Sequence, residues 1–176
     1  VTAKYVFEKL ARIPVEVDLA SEFRYRDPIL PENTLVVIVS QSGETADTLA
    51  ALRLAKEKGV RTLGIVNVVG SSIAREADNV MYTWAGPEIA VATTKAYSTQ
   101  LIAQYLLAMK FAKVRGTVSQ NDFDAMIQSL ERLPEQISLL LSHKENVQRF
   151  ANRILRQNTS FSSDAASTMQ SRWRAP

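Results

Sequence analysis

A short hydroxyl-rich segment, SQSGET at residues 40–45, carries the side chains of this chain that are best suited to chemistry. It follows a run of apolar β-branched residues and precedes a stretch with helical spacing of leucine and alanine. Ser40, Ser42 and Thr45 supply hydroxyls, and the free N–H groups at a helix start attract anions. Gly43 has no Cβ, which favours close approach of a ligand to the backbone. The segment therefore predicts a phosphate-binding loop.

The residues that the segment lacks indicate which kind of phosphate group it is suited to bind. A loop that cradles a triphosphate has a lysine after its glycine, whereas Glu44 follows Gly43 here. A neutral set of hydroxyls and amides suits a single phosphate monoester, and Glu44 must then point away from the anion. The alternative is purely structural: Ser42 caps the following helix and Glu44 favours its first turn. The residues alone leave both interpretations open.

A second polar group lies at the start of a long helix predicted at 93–113. Thr93 and Thr94 are suited to cap this helix and also to face a ligand. Lys95 opposes the helix dipole at that position, which predicts an ion pair with Glu88 or with another carboxylate, or else a solvated lysine.

The composition argues against several classes of function. The 176 residues include no cysteine and one histidine, His143, so disulfide scaffolds, thiolate chemistry and a multi-histidine metal site are not predicted. The net charge is +3 with lysine and arginine spread along helices, which does not indicate a nucleic-acid surface. No apolar run approaches the roughly 20 residues of a membrane span, and no signal peptide is evident. We therefore expect a cytoplasmic protein.

The hydrophobic pattern predicts the elements that position these segments. A continuous β-branched run predicts a strand at 35–39 that is covered on both faces, a second strand is predicted at 62–66, and shorter strands are predicted at 15–19 and 80–83. Helical spacing between the runs indicates β–α–β units, whose ligands bind beyond the carboxyl ends of the strands. The sequence thus predicts an α/β fold, a three-layer α/β/α sandwich with a mostly parallel sheet. A further helical segment is expected from 120 to about 156, with an interruption near Pro134, followed by an irregular tail.

Three motifs, in matching order and spacing, carry a resemblance to a known family. They are SQSGETADTL at 40–49, NVVGSS at 67–72 and AGPEIAVATTKA at 85–96, and SEFRYR at 21–26 fits the same pattern. Together they resemble the sugar isomerase (SIS) domain of the glucosamine-6-phosphate synthase family, the glutamine–fructose-6-phosphate aminotransferases. The resemblance covers about residues 5–161.

The resemblance implies a site for fructose 6-phosphate and glucosamine 6-phosphate, without a metal or organic cofactor. It also implies a homodimer formed through the SIS domain. Thr93 stands where the family usually has serine, which keeps the hydroxyl and adds a methyl group. The residues of the implied site are the phosphate contacts Ser40, Gln41, Ser42 and Thr45, the sugar neighbours Val91, Ala92 and Thr93, and the supporting residues Gly43, Glu88 and Lys95.

The family's reaction needs parts that we do not find in this sequence. A glutaminase domain releases ammonia from glutamine, the ammonia aminates the open-chain sugar, and residues of a second SIS half move the proton. We expect this chain to be a fragment that retains a partial sugar-phosphate site and is inactive alone. The alternatives are a non-catalytic SIS module that binds a phosphosugar and regulates a partner, and an inert structural remnant.

The end of the chain departs from the family pattern. We predict a first SIS subdomain at 1–161, without its usual beginning, and a non-family tail at 162–176. One coding sequence of this tail, shifted by one base, translates as Phe-Ile-Gly-Arg-Gly-Ile-Asp-Tyr-Ala-Val-Ala-Met-Glu-Gly-Ala. That peptide resembles the family's continuation, and a frameshifted segment was never patterned for this core.

We predict that the DNA encoding 162–176 contains this peptide in the frame shifted by one base. Sequencing the gene checks the prediction directly. Codons that are incompatible with the shifted frame would show that the tail has another origin.

Overall fold

The computed structural model describes four stretches of the chain: 1–89, 93–154, 159–163 and 170–174. The chain divides into two compact units, Val1–Val118 and Ser119–Pro176. No helix among the described residues is long and apolar enough to cross a membrane.

The sheet of the first unit has three parallel strands, in the order of the chain: β1 (Leu35–Ser40), β2 (Arg61–Val66) and β3 (Asn79–Tyr82). Ser40 pairs in register with Val66, and Val66 pairs with Tyr82. Because these are the last residues of their strands, all three strands end side by side. The loops that follow them therefore emerge at one edge of the sheet.

Helices connect and flank the strands: α1 (Thr2–Val6), continued by a π-helical segment (Phe7–Ala11), α2 (Ala20–Phe23), α3 (Ala46–Glu57), α4 (Ser72–Glu76) and α5 (Lys95–Arg115). α3 joins β1 to β2, and α4 joins β2 to β3. α5 packs on α1 and on the π-helical segment, where the rings of Phe7 and Phe111 meet edge to face at 5.7 Å. The helices predicted from the sequence are thus present.

The core lies on both faces of β2. On one face, Val66 and Ile38 pack with Leu52 of α3 and Ile73 of α4. Ile65 points to the opposite face, since successive side chains of a strand alternate between the two faces. Ile65 is also fully buried, and α5 contacts β2, so the second face of β2 is covered as well. The three-layer α/β/α arrangement predicted from the sequence is confirmed.

The prediction that the strand at 35–39 is covered on both faces is wrong. Ile38 is buried, whereas Leu35, Val37 and Val39 on the opposite face are 36–37% exposed. β1 is an edge strand of the described sheet, so α5, which contacts β2, leaves this face of β1 partly open. An apolar run shows that both faces of a strand are apolar but not that a second layer covers each of them.

The strand predicted at 15–19 is also not formed. Val17 and Leu19 are mostly exposed, and the backbone N–H of Val15 donates to the Glu8 carboxylate at 3.3 Å. A strand needs a neighbour for its backbone groups, and no described strand pairs with this segment.

The second unit contains three helices and a hairpin: α6 (Gln120–Glu131), α7 (Leu133–Ser142), α8 (Lys144–Ile154), β4 (Thr159–Ser163) and β5 (Gln170–Arg174). Ser119 caps α6 by accepting a hydrogen bond from the backbone N–H of Asp122 at 3.1 Å. Pro134 lies in the first turn of α7, where its missing N–H costs nothing. The interruption predicted near Pro134 is confirmed.

The expectation of an irregular tail is wrong for two short segments. β4 and β5 pair antiparallel, with Thr159 opposite Arg174. Residue types that favour strands, Thr159, Phe161 and Trp173, lie in these segments, and backbone pairing needs no hydrophobic periodicity. The domain boundary at 161/162 stays a prediction.

Three hydrogen bonds between Thr62 and Asp78 join the start of β2 to the residue before β3. Thr62 is fully buried, and its N–H and hydroxyl both donate to the Asp78 carboxylate, at 2.9 and 2.8 Å. The N–H of Asp78 donates back to the Thr62 hydroxyl at 3.0 Å. These bonds from Thr62 hold the pKa of Asp78 below its ordinary value.

We predict that Thr62→Val lowers the midpoint of thermal unfolding at neutral pH, because it removes one donor to Asp78 and leaves the Asp78 N–H without its acceptor. A carboxylate with a lowered folded-state pKa contributes stability above its unfolded pKa of about 3.9, and this contribution is lost as the pH falls through the folded-state pKa. The loss of thermal stability in Thr62→Val should therefore be smaller near pH 3 than at neutral pH. Thr62→Ser keeps the hydroxyl and should be more stable than Thr62→Val at neutral pH. Calorimetric melts at pH 7 and pH 3 measure both effects; an equal deficit at the two pH values would contradict the role of Asp78.

Candidate functional site

The loop at 40–45 leaves the carboxyl end of β1 and leads into α3. Ser40 is buried, and its hydroxyl accepts a hydrogen bond from the N–H of Gly43 at 3.1 Å. The hydroxyl of Ser42, which is half-buried, accepts from the N–H of Glu44 at 3.3 Å. Both serines thus shape the turn of the loop, and Ser40 does so from inside the protein.

The start of α3 lies directly beside this turn. Thr45 is the N-cap residue, is exposed, and makes no capping hydrogen bond with its side chain. The suggestion that Ser42 caps α3 is therefore wrong, because its hydroxyl is engaged within the loop. The first N–H groups of this twelve-residue helix remain without a side-chain cap from Thr45.

Arg24 is a cation near the loop that the sequence pattern did not predict. Its guanidinium donates to the carboxylate of Asp47, in the first turn of α3, at 2.7 Å. The hydrogen bond to Asp47 raises the pKa of Arg24, which also lies over the Tyr25 ring at 4.7 Å. The pair gives the negative charge of Asp47 a positive partner at the helix start.

Gly43 is required by the packing of two loops. Its φ is +68°, and a Cβ built on it would lie 2.2 Å from the Ser71 hydroxyl. The carbonyl of Gly43 also accepts a hydrogen bond from the N–H of Ile73 at 3.0 Å. We expected this glycine to open the backbone to a ligand, but Ser71 occupies the side of the loop that the missing Cβ leaves free.

Glu44 contacts the start of α4 and not the first turn of α3. Its carboxylate accepts from the backbone N–H of Ser72 at 2.7 Å and from the Ser72 hydroxyl at 2.6 Å. These two bonds, with a smaller contribution from the charge of Arg75, hold the pKa of Glu44 below its ordinary value. The structural alternative, in which Glu44 favours the first turn of α3, is therefore wrong.

Asn67 joins the loops that follow all three strands. Its own N–H donates to the carbonyl of Gln41 at 3.1 Å. Its side-chain carbonyl accepts from the N–H of Ala85 at 2.8 Å and from the Thr83 hydroxyl at 3.1 Å, and its amide donates to the carbonyl of Gly86 at 2.8 Å. One residue thus connects the ends of β1, β2 and β3.

The second predicted group is only partly within the described residues. Val91 and Ala92 lie outside them, and Thr93 is exposed. The Glu88 carboxylate accepts from the N–H of Ala96 at 3.2 Å, so it caps α5, while Thr94 makes no capping bond with its side chain. The ion pair suggested between Glu88 and Lys95 does not occur among the described residues, and Lys95 is exposed.

The described residues offer a polar surface and no metal centre. Among them, no cluster of three or more histidine, aspartate or glutamate side chains could hold a metal ion. Hydroxyls, backbone N–H groups and a helix start are gathered at the loop at 40–45. This arrangement can bind an anion by hydrogen bonds and the helix dipole.

We predict that Gly43→Ala destabilises the protein more than Gly59→Ala does. Both glycines have positive φ, so each alanine costs about 1–2 kcal/mol in the backbone. A Cβ at Gly59 meets nothing within 4 Å, whereas one at Gly43 collides with Ser71 and adds roughly 1–3 kcal/mol. Urea unfolding of the two variants measures the difference, and adding Ser71→Gly should recover part of the loss; equal losses for the two alanines would disprove the collision.

The chain is similar in sequence to one domain family and to a set of related enzymes. The family model described as SIS domain matches residues 1–110. The chain is 60% identical over 152 residues to glutamine–fructose-6-phosphate aminotransferase (isomerizing) of Caldanaerobacter subterraneus subsp. tengcongensis, and 59% identical over 151 residues to that of Clostridium acetobutylicum. Each match covers 86% of this chain and 25% of the relative, so the chain spans about a quarter of these proteins.

A solved structure agrees with the sequence matches. The C-terminal domain of glucosamine-fructose-6-phosphate aminotransferase from Francisella tularensis superposes with a TM-score of 0.84 at 37% identity. The superposition covers 89% of this chain and 45% of that one. With the parallel sheet and the match to the family model, these similarities establish that the chain belongs to the SIS domain family.

Proposed function

We propose that the loop at 40–45 and the first turn of α3 bind the phosphate group of a sugar phosphate. The observation that carries this proposal is that the two carboxylates in and beside the loop are both bound to partners. Glu44 is bound to Ser72, and Asp47 is paired with Arg24, so neither carboxylate faces the loop without a partner. An uncompensated carboxylate a few ångströms away would oppose an anion, and the helix start favours one.

The predicted contacts take different parts in this proposal. Gln41 and Ser42 are half-buried and Thr45 is exposed, so their side chains are accessible to a ligand. Ser40 is buried and supports the turn through Gly43. Val91, Ala92 and Thr93 are proposed near the sugar. The supporting residues Gly43, Glu88 and Lys95 shape the loop or lie at the start of α5.

The ligands that we propose are fructose 6-phosphate and glucosamine 6-phosphate. The curated relatives are named glutamine–fructose-6-phosphate aminotransferases, and their names supply the sugar phosphate. This chain corresponds to about a quarter of those proteins, so we propose a binding role within glutamine-dependent amination and isomerisation and not catalysis by the chain alone. A homodimer through the SIS domain is part of the same proposal, and light scattering after gel filtration measures it.

We predict that the chain binds fructose 6-phosphate and glucosamine 6-phosphate, but not fructose, in calorimetric titrations. Ser42→Ala and Thr45→Ala should each weaken binding about fivefold, which corresponds to about 1 kcal/mol for one hydrogen bond. Ser129→Ala is the control, because the Ser129 hydroxyl donates to the Ala125 carbonyl within α6.

The absence of heat and of a thermal shift with both phosphosugars would overturn the proposal. Equal affinity for fructose and fructose 6-phosphate would show that the phosphate is not the group that is recognised.

A further inference from the structure

We infer that Glu44 is a positioning residue that clamps the loop at 40–45 to the start of α4 and thereby sets its affinity for phosphate. The effect on affinity rests on the function proposed above. The clamp consists of the two hydrogen bonds from Ser72 to the Glu44 carboxylate, 28 residues away in sequence. Both hydrogen bonds of this side chain to described residues go to Ser72, outside the loop.

Adjacent contacts make the clamp continuous with the backbone of the loop. Next to Glu44, the Gly43 carbonyl accepts from the N–H of Ile73, and Gly43 packs against Ser71. The bonds inside the loop are longer: the Ser40 hydroxyl lies 3.1 Å from the Gly43 nitrogen, while the Ser42 hydroxyl lies 3.3 Å from that of Glu44. The bonds to Ser72 are shorter and are made to a carboxylate, so they are stronger than the two serine bonds inside the loop.

The clamp also directs the charge of Glu44. The guanidinium of Arg75 donates to the Ser72 hydroxyl at 3.1 Å and to the carbonyl of Gly70. The carboxylate thus lies among two donors and a neighbouring cation on the side of α4. A carboxylate held in this way costs a bound phosphate less than one that is free to turn toward the loop.

A positioning role of Glu44 and a purely electrostatic effect of its charge predict opposite changes in phosphate affinity for Glu44→Gln. If Glu44 acts only as a nearby negative charge, its removal tightens the binding of an anion. If Glu44 positions the loop, the glutamine variant weakens binding, because an amide cannot accept both Ser72 donors with the strength of a carboxylate. The sign of the change in affinity therefore distinguishes the two.

The experiment compares four single variants of the full chain and the double variant Glu44→Gln/Ser72→Ala. Glu44→Gln weakens both bonds of the clamp, and Ser72→Ala removes the bond from the hydroxyl. Ser129→Ala is the control for the loss of a serine hydroxyl, because that hydroxyl donates to the Ala125 carbonyl within α6. Glu57→Gln, at the opposite end of α3, is the control for the loss of one negative charge.

Two measurements are made on each variant: amide hydrogen exchange of residues 41–45 without ligand, and the dissociation constants of inorganic phosphate and fructose 6-phosphate. We expect faster exchange and roughly threefold to tenfold weaker binding for Glu44→Gln and for Ser72→Ala, with neither change in the two controls. The double variant should lose less affinity than the sum of the two single losses, because both substitutions act on the bond from the Ser72 hydroxyl, whereas the bond from the Ser72 N–H is weakened only by Glu44→Gln.

Unchanged exchange in both Glu44→Gln and Ser72→Ala would overturn the clamp, and so would tighter phosphate binding by folded Glu44→Gln. Thermal melts show whether each variant is folded; Ser72→Ala, which keeps all charges, decides the outcome if Glu44→Gln does not fold. A wild-type chain that binds neither ligand would overturn the proposed function, while its hydrogen exchange still tests the clamp.

Discussion

The hydrogen bonds of Asn67 are the interaction on which the candidate site depends. Three parallel strands end in register, so the polar backbone groups of three loops meet at one edge, where no further strand satisfies them. Asn67 bonds to Gln41 after β1 and to residues 83–86 after β3, and it lies itself after β2. A side-chain amide suits this position because it donates and accepts at the same time.

The contacts of Glu44 and Asp47 complete this arrangement through electrostatics. An anion site with two carboxylates in or beside its loop is unfavourable unless their charge is compensated. Glu44 contacts Ser72 at the start of α4, and Asp47 contacts Arg24, which directly follows α2. Each contact also ties the loop or α3 to another part of the unit, so charge compensation and positioning are achieved by the same bonds.

Much of the fold was predictable because hydrophobic periodicity is a local property. The runs at β1 and β2, the spacing of α3 and the length of α5 all appear in the structure close to their predicted bounds. The errors concern contacts between distant segments. The run at 15–19 has strand composition but no described partner, and β1 has two apolar faces of which one is partly open. The hairpin of β4 and β5 forms by backbone pairing without a hydrophobic pattern.

The sequence by itself determined that the loop at 40–45 is rich in hydroxyls, lacks a cation and stands between a strand and a helix, because these features depend on neighbouring residues. Only the tertiary structure decided what each side chain does. Glu44 reaches Ser72 instead of its own helix, Gly43 accommodates Ser71 instead of a ligand, and Arg24 meets Asp47. The reason is that these partners lie 23 to 28 residues apart: the parallel strands bring Glu44 and Gly43 to Ser72 and Ser71, and the packing of α2 on α3 brings Arg24 to Asp47.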